Sequence, residues 1–460
     1  MNRFRRRAAV VVLLVSILFI GICTVNAQTE EISIPEVEYS HYTLDNGMEI
    51  YVFEDHQVPL VETSIWYKVG SINESEGMTG ISHFLEHAMF LGTETLNDGE
   101  VSEMIEEVGG SNNASTGSWR TRYHETVPSS SLELAIAIEA DRMNNMMLQF
   151  EEFEREKEVV IQERRKRVEN DAFVAGQEEI QAEAFNGTPL EHNVIGFRED
   201  LESINLIDLY QYYEKYYAPN NAVLSVAGDV DPEEVYNLAE KYFSGYESRE
   251  LKEVDFEFPE QQQEKEVTVR KRTEVPYIIM YYKLPRGNHP DMVAVDFLLD
   301  ILLNKSTSRV TTELRQNQEI LLNAGGHRGA FSVPGYAMVF LVPESEASLE
   351  KVLQGYEKEL KDIIKNGVSE EELQIVKKGV AKDLIKARRN MMNFSDNVIT
   401  SELKYDDPEY YRTRIKRINE VTSKDIIEAA QKYFVPENRT TGYILPKTEQ
   451  SILEMGNQNQ

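Results

Sequence analysis

The spacing of apolar positions changes period along the chain, and each change marks an element. Residues 39–44 and 48–53 alternate with period two on either side of Asp45-Asn46-Gly47, which reads as a hairpin. The same period continues over residues 61–70. At residues 80–93 it becomes helical, with Phe84, Leu85, Ala88, Met89 and Leu91 supplying apolar faces and Gly92 standing where a helix stops. A second helix is expected near 98–108. A polar strand then opens at Ser111 and reaches Tyr123. Helices follow at 132–145, 150–170 (long and highly charged), 200–217 and 232–243, with a strand at 222–227. In the second half strands are expected at 267–270, 277–282 and 337–342. Helices are expected at 293–303, 311–316, 348–365, 369–385 and 422–433. No element is assigned to 171–199, 317–336 or 386–421.

A weak repeat organises these elements. Lys215-Tyr216-Tyr217-Ala218-Pro219-Asn220-Asn221 returns as Lys432-Tyr433-Phe434-Val435-Pro436-Glu437-Asn438, each time between a helix and a strand. The expected fold class is therefore α+β, with two homologous domains. Each is a mostly antiparallel sheet with helices packed on one face. The first domain spans residues 32–245 and the second 267–447. Residues 246–266, acidic, Gln-rich and without period, join them as a linker, and 448–460 form a polar tail.

Composition narrows the function classes. The 460 residues carry a formal net charge of −31, so nothing in the balance favours neutralising nucleic-acid phosphates. Residues 1–27 read as a secretory signal peptide. Arg3, Arg5, Arg6 and Arg7 precede an apolar run from Ala8 to Cys23, and Val25-Asn26-Ala27 offers small residues before the cleavage point. Removing the leader takes away four positive charges and no negative ones, leaving −35, and it removes the single cysteine. The mature chain then has no disulfide and no stable membrane insertion. A bacterial envelope, hence the periplasm, is the expected compartment. The sequon Asn113-Ala114-Ser115 points the same way, because a glycan there would obstruct the polar strand.

The chemistry concentrates at residues 83–87, which read H-x-x-E-H. His83 and His87 are four apart and share a helix face, so they can grip one ion together. Glu86 lies beside them without being needed as a ligand, the arrangement in which a carboxylate serves as base to a zinc-activated water. Catalytic zinc usually takes three protein ligands, so a carboxylate from another helix is wanted. Glu156 and Glu163 on the long charged helix are seven apart and face one way. The polar strand near the metal helix is either a plain edge or a template for a substrate peptide.

Together these residues resemble the pitrilysin/insulinase-type zinc peptidases, in size their short bacterial and mitochondrial-processing-peptidase-like branch. The resemblance runs from Tyr42 to Pro446. It implies one zinc per chain, held by His83, His87 and Glu163, with Glu156 supporting and Glu86 as general base. It implies substrate binding along Asn113-Ala114, with Tyr123. The family often carries an Arg and, seven residues on, a Tyr. Arg315 fits the first, but the second position holds Leu322. Short members work as dimers on peptide substrates, and some pairs divide the labour. This chain is accordingly expected to be the metal-bearing half of a heterodimer, with a homodimer as the alternative. The rival class is a non-catalytic assembly subunit of the same fold.

Overall fold

Two sheets, one from each half of the chain, repeat a single topology in the computed structural model, which describes residues 38–388 and 390–447. The expected leader (1–27) and tail (448–460) lie outside the described residues. The first sheet holds β1 (Ser40–Thr43), β2 (Glu49–Glu54), β3 (Leu60–Tyr67), β4 (Ser111–Thr116), β5 (Thr121–Pro128) and β6 (Ala222–Gly228), in the order β1-β2-β6-β3-β5-β4. The second holds β7 (Lys265–Lys271), β8 (Tyr277–Arg286), β9 (Leu321–Gly329), β10 (Pro334–Pro343) and β11 (Arg439–Pro446), in the order β7-β11-β8-β10-β9. With β1 set aside the two orders coincide. In each, the first strand pairs in parallel with the last, β2 with β6 and β7 with β11, and every other pairing is antiparallel.

The sequence echo has a local cause. Pro219–Asn221 and Pro436–Asn438 form single 3-10 turns that deliver the chain from a helix into β6 and β11. The side-chain amide of Asn221 donates to the Tyr216 carbonyl at 2.8 Å, and that of Asn438 donates to Tyr433 at 2.7 Å. Each satisfies a helix-end carbonyl left without an intrahelical donor.

Each sheet packs its own half's helices on one face, as expected. The first core gathers inward residues of β2, β3, β5 and β6 under helices Leu132–Asn145 and Pro232–Phe243. The opposite face of each sheet is covered by a helix from the other half. Helix Met391–Tyr405 sets Phe394, Val398, Ile399 and Leu403 against Tyr51, Phe53, Trp66 and Val223 of the first sheet. Helix Ala172–Phe185 sets Ile180, Ala184 and Phe185 against Val269, Ile279, Tyr281 and Ile444 of the second. Glycines permit the closest approach. A side chain at Gly176 would strike Ile444 at 2.5 Å, and one at Gly442 would strike Ile180 at 2.4 Å. Both helices fall in stretches to which the sequence reading assigned no element. Residues 247–264 form neither helix nor strand, yet Val254, Phe256 and Phe258 pack on the second core. All described residues lie in one compact unit, Ile34–Gln460.

Two further expectations need correction. The polar strand from Ser111 to Tyr123 is a hairpin, β4 and β5, broken at Gly117. The helix expected over 200–217 is two helices, Arg198–Ser203 and Leu206–Tyr216, because Asn205 caps the second by accepting from the Ile207 and Asp208 amides.

Candidate metal centre and active site

The motif helix is short, Ile81–Ala88, and is held rigidly at its start. Gly80 has φ +88°, and a side chain there would meet the Ile195 carbonyl oxygen at 2.4 Å. Gly196 returns the contact, its missing side chain lying 2.2 Å from the Thr79 oxygen. The open amides of the first turn are taken by Glu74, whose carboxylate accepts from Gly80 N at 2.8 Å and from Ser82 N at 2.9 Å. Burial pushes the Glu74 carboxyl up to about 8, and the two backbone donors only partly oppose it. The folded state therefore holds this proton more tightly than the unfolded chain, whose ordinary value is about 4.5. The contribution of Glu74 to stability is expected to fall as pH rises from about 4.5 through about 8. Urea unfolding at a series of pH values should show that slope in the native chain and a shallower one in Glu74→Gln. Equal slopes would contradict the assignment.

The long charged helix runs Phe150–Arg164 and continues as a π-helical turn, Arg165–Glu169. It is fixed to the motif helix by Phe153, whose ring stacks on Phe84 with centroids 5.1 Å apart. One turn beyond Phe153 is Glu156, and two turns beyond Glu156 is Glu163, so both carboxylates face the histidines. His83 Nε2 lies 3.8 Å and His87 Nε2 3.3 Å from Glu163 Oε2. Glu156 Oε1 accepts from His87 Nδ1 at 2.9 Å. Arg164, buried beside Glu163, donates to the Gly196 carbonyl at 2.8 Å and pairs with Glu178 at 2.6 Å. It ties the ligand helix to the segment that pins Gly80.

The donor set fits a divalent metal. One nitrogen or oxygen from each of His83, His87 and Glu163 can be chosen so that all lie within 4.8 Å of one another. With the Nδ1 hydrogen of His87 given to Glu156, a neutral His87 turns its Nε2 lone pair toward Glu163, an arrangement that asks for a cation between them. Glu163 Oε2 and Glu86 Oε2 are buried and have no hydrogen-bond partner. Burial depresses His83 to about 4, with His87 adding to the effect, which keeps its imidazole neutral and ready to ligate. Burial also lowers His87, but Glu156 and Glu163 outweigh it and raise the group to about 9, so ligation there displaces a proton. Burial raises Glu86, and the Thr116 hydroxyl partly offsets it.

The substrate-strand residues divide. Asn113 and Ala114 lie on β4, the edge strand, which packs beside the motif helix. The Asn113 side-chain oxygen accepts from the Ala114 amide at 2.9 Å, a bond that a strand added at this edge would have to replace. Tyr123 does not reach this edge, and its expected contact with substrate is withdrawn. Inward positions on β5 are buried, and Tyr123 is fully enclosed with its hydroxyl 2.8 Å from that of Tyr217. Arg315 is exposed on the π-helical segment Thr311–Asn317 of the second half.

Four supporting groups escaped the sequence reading. Glu74 and Thr116 carry no local signal, because the loop and the hairpin bring them in. Arg167 pairs with Glu163 Oε1 at 2.8 Å, and its i, i+4 spacing was legible. Asn323-Ala324 on β9, the edge of the second sheet, repeats the Asn-Ala device, with Asn323 accepting from the Ala324 amide at 3.0 Å. In that half the helix equivalent to the motif helix is Met292–Leu299. Asp296-Phe297-Leu298-Leu299-Asp300 stands where the first half has His83-Phe84-Leu85-Glu86-His87, and Asp296 holds the Arg328 guanidinium at 2.9 and 3.1 Å.

Comparison with known proteins agrees with this division. The family model described as insulinase (peptidase family M16) matches residues 50–197, and the one described as the peptidase M16 inactive domain matches residues 203–380. The chain belongs to the pitrilysin/insulinase-type peptidase family. Among family members it is 26% identical to the zinc protease PqqE of Helicobacter pylori over 416 residues, 89% of this chain and 93% of that one. It superposes on the crystal structure of a protease from the same organism with a TM-score of 0.83 at 25% identity, covering 89% of this chain and all of that one. The first half of the periplasmic protease PqqL from Escherichia coli shares the fold, with a TM-score of 0.73 at 21% identity over 93% of this chain and 97% of that one.

Proposed function

We propose that this family member is a zinc-dependent metalloendopeptidase that hydrolyses peptides or small unfolded polypeptides. The observation that carries the reading is the convergence of His83, His87 and Glu163 beside an unpartnered Glu86 oxygen. Those three residues would hold one zinc ion per chain, and Glu156 fixes the tautomer of His87 from behind. Bound zinc supplies a Lewis acid that acidifies water and polarises the peptide carbonyl. Glu86 accepts the proton of the attacking water at Oε2 and passes it to the leaving amine. The raised affinity of its buried carboxyl for a proton favours that exchange. Ala114 offers its amide to a substrate carbonyl, so the peptide joins β4 as an added strand. Backbone pairing reads little sequence, and selectivity is expected to be loose in sequence and strict in size.

The leader at residues 1–27 and the likeness in fold to a protease described as periplasmic support an envelope location. Among the described residues no helix is long and apolar enough to cross a membrane. Leu322, 45% exposed where the family often has Tyr, supports a heterodimer whose other chain brings an Arg/Tyr pair.

The test is metal content together with cleavage of an unstructured peptide, for this chain alone and with a homologous partner chain. We expect one zinc per chain, cleavage abolished by a chelator, and recovery on adding zinc. A chain that carries no zinc and cleaves nothing, alone or with its partner, would support the non-catalytic subunit instead, and cleavage undiminished by chelation would overturn the metal-dependent mechanism. Full activity of the lone chain would rule out the heterodimer.

A further inference from the structure

A cationic cavity lies beyond the far end of the substrate strand. Lys404, on the helix lent by the second half, stacks its ammonium on Trp119 at 4.6 Å. Trp119 sits in the turn between β4 and β5, three residues past Thr116, which touches Glu86. No carboxylate pairs with Lys404 among the described residues. Burial, with Arg328, Arg120 and Arg414 around it, brings its ammonium down to about 8. Arg328 closes the same space. Asp296 holds one edge of its guanidinium, while Nη1 is buried with no partner. Arg120 spends Nη1 on the Ser115 carbonyl and hydroxyl oxygens, at 2.6 and 2.7 Å.

Lys404, Arg328 and Arg414 form the cationic end of a cavity of about 220 Å³ between helices Met391–Tyr405 and Tyr410–Glu420. Its other walls are mixed: Leu384, Phe394 and Ile418 are apolar, while Asn397, Thr400 and Ser401 are polar. Unpaired positive charge in a chain of net charge −31 is not needed for solubility, and a buried cation without an anion is costly. The combination suits an anion attached directly to an apolar group.

We propose that this cavity receives the C-terminal carboxylate and last apolar side chain of a peptide lying along β4, with Lys404 and Arg328 facing the carboxylate. The proposal rests on the peptidase reading above. A strand added at Asn113–Thr116 passes Glu86 and continues toward Trp119, where Lys404 stands. The carboxylate takes up Arg328 Nη1 and the ammonium, and the side chain fills the apolar walls. Substrates would thus be measured from their C-terminal end, and cleavage would fall a fixed number of residues upstream of it.

The test uses binding, so that it does not depend on turnover. A fluorescein-labelled decapeptide ending in Leu is titrated into the full chain carrying Glu86→Gln, once as the free acid and once as the C-terminal amide. The acid is expected to bind about tenfold tighter or more, the effect of a charge-assisted pair in a partly buried site. Adding Lys404→Met should weaken binding of the acid and narrow its advantage over the amide, and Lys404→Arg should restore the difference. Equal affinities for acid and amide in the Lys404 chain would overturn the proposal. So would a preference left unchanged by Lys404→Met, or displacement of the labelled acid by sodium octanoate as readily as by the unlabelled peptide. Cleavage by the native chain is scored separately. An acid preference without any cleavage would sink the peptidase reading and leave the site standing.

Discussion

Glu86→Gln is expected to keep its zinc and lose roughly a hundred- to ten-thousandfold in peptide cleavage. Glu86 is on the motif helix between the two histidines, yet its Oε2 is buried and unpaired, and Glu163, from another helix, completes the cluster of donors. A carboxylate with a free buried oxygen next to that cluster is placed to move a proton. The amide of Gln has the same shape, so the ligand geometry is preserved while the proton acceptor is gone. Metal content by mass spectrometry and single-turnover cleavage of a labelled peptide separate the two effects. Loss of zinc in the variant would make Glu86 a ligand or a support for one. Undiminished cleavage would remove it from the chemistry altogether.

The second large effect concerns stability. Arg142 is 1% exposed and lies between Glu125 and Glu139, themselves fully buried. Its Nη2 donates to Glu125 at 2.7 Å and to Glu139. Its guanidinium also covers the Tyr123 and Phe90 rings, at 4.9 and 5.2 Å. Burial pushes Glu125 well up, Glu139 beside it adds to the effect, and Arg142 opposes both. Arg142→Met would leave two carboxyl groups sharing an apolar space with no cation. We expect a loss of about 3–5 kcal/mol in unfolding free energy, the usual cost of breaking a buried charge network by removing one member. Denaturant unfolding measures it. Replacing Glu125 by Gln in the same chain should recover part of the loss, because one of the two stranded acids is then neutral. A loss under about 1 kcal/mol, typical of exposed pairs, would show that the cluster is hydrated and not a buried support of β5.

Much of the site was legible because its spacings are helical and local. His83, Glu86 and His87 lie within five residues, and Glu156 and Glu163 share one face of one helix. The structure places them as those spacings require. Tyr123 was named from the resemblance, and the alternation of β5 turns it inward, where it is fully buried. Glu74, Arg164 and the Arg328–Lys404 cavity were not legible, since each joins groups far apart in the chain. Strand β9 was missed where Gly325, Gly326 and Gly329 dilute the strand signal.

By itself the sequence determined the candidate metal ligands and the two-fold repetition of the fold. Helical and strand periods, a five-residue motif and an echoed Pro-Asn turn are short-range features, set by backbone geometry within a few residues. The tertiary structure decided how the halves are joined. Helices Ala172–Phe185 and Met391–Tyr405 cross between halves and are buried on sheets to which they are not adjacent in sequence. Such helices bury apolar residues against strands far along the chain, and no local spacing names the sheet that will receive them. That exchange puts Lys404 over Trp119 and brings a second-half cation to the turn that joins β4 to β5.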